Sequence, residues 1–296
     1  MKKITTIFLM ILLFSLTLNA QNDFDKLWNK VEKLEIDVLP KSALKVVDQI
    51  YAEAERKNNA PQIIKALFYK SKFSLILEEN AQLKVINSLK KQISKRNFPE
   101  KNVLQNVLAN LYWQYFNQNR YKFYNRTKTE NKIKSEDFRT WDLTTLFKEI
   151  HFYFNASLND EKKSKNIKIE TFSDILLLQN TTKTYTPTLF DFLANNALQF
   201  YKSSETSITR PSYQFVINES SYLSDVKTFL QLDITSKDSL SLQLNALKIY
   251  QKLIRLHHNT GNKNALANID IQRLHFVNQH ATFSDKENIL LKLFEL

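Results

Sequence analysis

The chain has 296 residues, a net charge of +12 and 43% hydrophobic residues, but a single glycine, Gly261. Phosphate-cradling loops, dinucleotide-binding turns and nucleophile elbows need positive φ angles that glycine supplies cheaply, so these folds are disfavoured, as is a many-turned β-sandwich. With 24% charged residues the composition is that of a folded chain, and the lack of cysteine excludes disulfides, iron–sulfur clusters and cysteine-held zinc.

Residues 1–20 read as a signal peptide. Lys2 and Lys3 precede an apolar run from Ile4 to Leu18, and Leu18-Asn19-Ala20 offers a cleavage site between Ala20 and Gln21. The run is shorter than the roughly twenty residues that span a bilayer. Polar sequence resumes at once with Asn22 and Asp23, and no later stretch is long and apolar enough to cross a membrane. The expected location is therefore the periplasm or cell envelope of a gram-negative bacterium, or the medium. Cleavage removes both signal lysines and lowers the net charge from +12 to +10.

From there the chain repeats apolar residues with a helical period. Phe24, Leu27, Trp28, Val31 and Leu34 form one stripe, and Ala43, Val46, Val47, Ile50, Tyr51 and Ala54 form the next. Another runs through Val103, Leu104, Val107, Leu108, Leu111, Tyr112, Tyr115 and Phe116. Pro40, Pro61, Pro99 and Pro187 stand near helix starts, and Thr140, Thr186 and Ser284 look like N-caps. The pattern predicts helices near 23–37, 40–58, 61–79, 81–96, 100–117, 141–158, 167–179, 187–202, 238–259, 263–280 and 284–295.

Two stretches break this rhythm. Residues 118–140 are polar, basic and aromatic. Residues 204–236 include Tyr213-Gln214-Phe215-Val216-Ile217, which suggests a short extended segment near 212–217. The chain thus divides into a helical array over 21–203, an irregular linker over 204–236 and C-terminal helices over 237–296. Short connections between amphipathic helices predict an all-α, TPR-like stack of hairpins, with an irregular helical array as the alternative. The clearest hairpin joins Ala246-Leu247-Lys248-Ile249-Tyr250 to Ala265-Leu266-Ala267 through Asn259-Thr260-Gly261-Asn262.

No constellation in the chain points to catalysis, and no cofactor is expected. The histidines are His151, His257, His258, His275 and His280, and no HExxH pair occurs. His257 falls on the apolar stripe of Ile249, Tyr250 and Leu253, where a buried, hydrogen-bonded imidazole is expected. Lysine outnumbers arginine 34 to 8 and is spread along the chain, which argues against a nucleic-acid surface. The Lys162-Lys163-Ser164-Lys165 run is read as a solvated connector. Tyr112, Trp113, Tyr115, Phe116, Tyr121, Phe123 and Tyr124 crowd one region with Arg120, Lys122 and Arg126 among them. They form either a partner surface, with Trp113, Tyr121 and Tyr124 as its aromatics, or a half-buried core with the arginines paired to acids such as Glu136 and Asp137.

Several stretches resemble the N-terminal helical region of bacterial alpha-2-macroglobulin family proteins. They are Phe24-Asp25-x-Leu27-Trp28, Leu39-Pro40-Lys41-Ser42-Ala43-Leu44, Asn59-Ala60-Pro61-Gln62-Ile63-Ile64-Lys65-Ala66 and Ala109-Asn110-Leu111-Tyr112-Trp113-Gln114-Tyr115. Asn125-Arg126-Thr127, Asp137-Phe138-Arg139-Thr140-Trp141-Asp142-Leu143 and Tyr185-x-Pro187-Thr188-Leu189-Phe190-Asp191-Phe192-Leu193 continue it in the same order. The resemblance implies an exported envelope protein whose helical head precedes β-sandwich, bait and thioester domains. Those domains have no counterpart here, and no cysteine exists for a thioester, so the chain is expected to be a fragment ending within Ile289-Leu290-Leu291-Lys292-Leu293-Phe294. The function expected is a non-catalytic scaffold or docking module for a protein partner or the rest of a macroglobulin chain. The alternative is a stand-alone exported peptide- or glycan-binding protein.

Overall fold

The computed structural model describes residues 24–124, 137–203 and 212–294. The signal peptide with its Ala20–Gln21 junction, the Asn125-Arg126-Thr127 stretch and Glu136 lie outside them. The fold is an all-α helical array: no strand occurs among the described residues, and one isolated bridge joins Lys168 to Thr188. Two compact units divide the chain at residues 89 and 90, within one helix.

The first unit holds α1 (24–36), α2 (Pro40–Arg56), α3 (Ala60–Leu77) and the first part of α4 (Ala81–Lys95). The apolar stripes determine its core. Phe24, Trp28 and Val31 of α1, Ala43, Val46, Val47, Ile50 and Ala54 of α2, and Ile63, Ile64, Leu67 and Phe73 of α3 are all buried. Each large aliphatic side chain withdrawn this way contributes about 1.5–3 kcal/mol. Trp28 Nε1 donates to Gln62 Oε1 at 2.6 Å, so the indole enters the core with its polar atom satisfied.

Two joints of this unit, after α1 and after α2, are left-handed without glycine. Val38 (φ 55°) follows α1, where Leu39 N–H bonds Leu34 C=O, and Asn58 (φ 50°) follows α2, where Asn59 N–H bonds Ala54 C=O. Both match the Schellman pattern that normally selects glycine. The Asn59 side chain then accepts from Gln62 N–H and caps α3, with Pro61 inside its first turn.

The second unit contains α5 (Glu100–Tyr124), α6 (Leu143–Ser157), α7 (Glu161–Ser164), α8 (Thr182–Tyr185), α9 (Leu189–Tyr201), α10 (Val226–Gln231), α11 (Leu242–Thr260), α12 (Lys263–His280) and α13 (Lys286–Phe294). α5 packs on α6 and α9, α9 on α11, and α11 on α12. A polar node fixes the first of these crossings. Asn106 Nδ2 donates to Leu193 C=O at 3.0 Å and to Ser157 Oγ at 3.2 Å, and its Oδ1 accepts from Asn196 Nδ2 at 2.9 Å. The α11–α12 hairpin turns at Gly261 (φ 69°), as its sequence predicted.

Several expectations need correction. The segment predicted as a helix over 167–179 forms only a 3₁₀ turn at Ile169–Phe172, because its backbone is held by the next segment: Ile169 N–H bonds Pro187 C=O and Leu189 N–H bonds Ile167 C=O. The N-caps are Asp142 and Thr188 rather than Thr140 and Thr186. α5 runs beyond 117 to Tyr124, with a kink at Asn119 (φ −119°, ψ 18°) where Asn119 Nδ2 bonds Tyr115 C=O. Residues 214–219 form no strand, but they are held in place: Asp238 Oδ2 accepts Phe215 N–H and Thr282 N–H bonds Ile217 C=O.

Candidate functional site

The aromatic crowd of α5 divides into two populations. Tyr112 and Phe116 are fully buried, and Trp113 lies half-buried with its ring 5.3 Å from Phe116, 5.9 Å from Phe147 and 5.2 Å from Phe200. Trp113 therefore serves the α5–α6–α9 core. Beyond the Asn119 kink, Tyr121 is 81% and Tyr124 51% exposed. The guanidinium of Arg120 covers the Phe116 ring at 5.5 Å, while Asp137 pairs with Arg139 at 2.7 Å.

The histidines do not converge on a site. His257 is buried, and its Nε2–H donates to Asp191 Oδ1 at 2.8 Å. The other oxygen of Asp191 accepts from Thr188 N–H and Thr188 Oγ1, and the Thr188 hydroxyl accepts Asp191 N–H, closing a capping box on α9. Hydroxyl, carboxylate and imidazole thus meet with the carboxylate in the middle, a structural clamp rather than a nucleophile–base pair. His151 has both nitrogens engaged, Nε2 with Asn155 Nδ2 at 2.8 Å and Nδ1 with Tyr201 Oη at 3.0 Å. Burial, assisted by the charge of Lys248, lowers its pKa to about 4. His280 Nδ1 lies 3.4 Å from Gln243 Nε2, and His258 and His275 are exposed. Among the described residues no group of three His, Cys, Asp or Glu side chains is placed to hold a metal ion.

A different opening lies where the sequence showed only a linker. The stretches 214–219 and 232–236 border a groove of about 410 Å³. Phe215 and Tyr222 form its apolar part, with ring centroids 6.2 Å apart and nearly perpendicular. Glu219, Asp233, Asn218 and Thr235 supply its polar part. Tyr222 is held from beneath: Arg273, fully buried, donates from Nη1 to Tyr222 C=O at 2.7 Å and from Nη2 to Ser224 C=O at 2.8 Å. The same guanidinium pairs with Asp270 and covers the Phe229 ring at 4.4 Å. Burial lowers the pKa of Arg273 and raises that of Asp270, each opposed by the other's charge. Burial raises the Tyr222 phenol too, reinforced by the negative charges of Glu219 and Asp233.

Comparison with protein-family models, curated proteins and solved structures finds no match. Sequence reasoning missed the groove because Glu219 and Asp233 stand fourteen positions apart in a segment without periodicity. The one available signal was the buried cation Arg273, whose position on α12 gave no hint of which carbonyls it would hold.

Proposed function

We propose that this chain is a non-catalytic docking module, exported after cleavage between Ala20 and Gln21, whose helical surface holds a protein partner or the remainder of a macroglobulin-like chain. One observation in the first unit supports this above all. Ile36, Val38 and Leu39 are 75%, 80% and 48% exposed at the α1–α2 joint, and Leu75 and Ile76 are 52% and 60% exposed in the last turn of α3. The antiparallel α2–α3 pairing, with Lys70 on Asp48, and the Lys72–Glu35 ion pair set these residues at the same end of the unit. Large aliphatic groups gathered in water mark an interaction surface more often than chance exposure. The resemblance to macroglobulin heads supports the same role.

The test is capture from envelope extract by the full chain. Ile36→Ser with Ile76→Ser is expected to lose the captured partner, and Tyr121→Ala with Tyr124→Ala tests the second exposed surface. An unchanged set of partners in both variants would overturn the reading. A second reading, a stand-alone exported peptide or glycan binder, is favoured by the groove of the second unit.

A further inference from the structure

The groove presents unused bonding capacity of three kinds. Its first element is backbone. Glu219 (φ −109°, ψ 134°) and Leu232 (φ −64°, ψ 135°) are extended, and the peptide groups of Gln214, Asp233, Ile234 and Thr235 bond to no other described residue. Ile234 is buried while Asp233 and Thr235 face out, which is the alternation of a strand lacking a neighbour. Its second element is Tyr222, only 8% exposed, whose hydroxyl hydrogen-bonds to no described residue although its ring lines the groove. Its third is charge. In a chain of net charge +12, neither Glu219 nor Asp233 has a basic partner among the described residues. The nearby cation, Arg273, is committed to Asp270 and to two carbonyls.

We propose that this groove binds an extended peptide bearing a lysine or arginine, its main chain pairing with the free backbone at 233–235 and its cationic side chain lying between Glu219 and Asp233 over Phe215 and Tyr222. The inference narrows the peptide-binding reading given above. Strand addition supplies affinity through main-chain bonds, and a pocket for one side chain supplies selectivity. The volume is within the range of specific ligand pockets. An anionic ligand would meet two carboxylates and no lysine or arginine in the lining. A neutral glycan would suit the amides and hydroxyls but would leave both carboxylates without a counter-charge.

The experiment uses the full chain on an array of hexapeptides, random except for one fixed lysine, arginine, serine or glutamate, alongside a glycan array and spermidine. Basic peptides are expected to bind about tenfold or more tightly than acidic ones, with loss of that preference in Glu219→Gln with Asp233→Asn. N-methylation of the peptide backbone is expected to abolish binding, and a circular dichroism spectrum of the double variant should match the parent. Absence of any basic preference, binding that survives the double variant, or saturable binding of spermidine or a glycan but not of peptides would each overturn the proposal. Partner capture that depends on Ile36 and Ile76 would then still stand, so the two readings fail separately.

Discussion

His257 and Asp191 tie α11 to α9 through one contact of 2.8 Å between residues that are 2% and 0% exposed. Because Asp191 also closes the first turn of α9 with Thr188, a single carboxylate serves a helix end and a helix crossing at once. Asp191→Ala leaves a buried imidazole and two capping groups without a partner. It is expected to cost about 3–5 kcal/mol in urea unfolding, whereas Thr188→Ala, which removes only part of the cap, should cost about 1 kcal/mol.

His151 gives the stability a dependence on mild acid. Its unfolded pKa is 6.5 and burial holds the folded value near 4, so the unfolded chain takes up the proton first. This contribution is complete above pH 6.5 and is lost as the pH falls toward 4, amounting to roughly 3 kcal/mol. His151→Gln should flatten the fall in thermal midpoint between those pH values relative to the parent chain, while carboxylate effects remain common to both.

Arg273 is the cation on which the groove is built. Its fork spans two carbonyls and a carboxylate, a geometry that an ammonium group cannot reproduce. Arg273→Ala is expected to destabilise the chain by about 3–5 kcal/mol through the stranded Asp270 and the released carbonyls. Arg273→Lys should recover only part of this, and limited proteolysis should show the new cleavage sites in 220–232.

The left-handed joints make opposite demands on Val38 and Gly261. A β-branched side chain at positive φ carries about 1–2 kcal/mol of strain, and Val38 is 80% exposed, so little packing offsets it. Val38→Gly should therefore raise stability by about 0.5–1 kcal/mol after the flexibility of glycine in the unfolded chain is subtracted. Gly261→Ala should lower it by about 1 kcal/mol although nothing lies within 4 Å of the added carbon, the cost being conformational alone. Paired thermal melts measure both.

Most of the helices were legible because their apolar positions recur with the period that buries one face, as Ala43, Val46, Val47, Ile50 and Ala54 do. Ile169 and Phe172 obey the same spacing and are buried, yet no α-helix forms there, since backbone pairing with 187–189 competes for the donors a helix would use. That competition is between segments and leaves no local trace. Thr188 and Asp191 did carry a local trace, a capping-box spacing, which locates the helix start better than Pro187 does. His257 was legible as a buried histidine from its stripe, but its partner on α9 was not. Of the aromatics, periodicity separated neither Trp113 from Tyr121 nor core from surface, because the Asn119 kink resets the helical phase between them.

Several carbonyls around the groove are held by side chains: Gln251 reaches those of Phe229 and Leu232, Arg255 that of Leu230, and Arg273 those of Tyr222 and Ser224. The chain up to Leu232 is anchored through its oxygens, while the amide hydrogens of 233–235 bond to no described residue. Deuterium uptake there should be rapid in a region whose position is nevertheless fixed, and an occupant that pairs with those amides would announce itself by slowing that uptake before any change in shape.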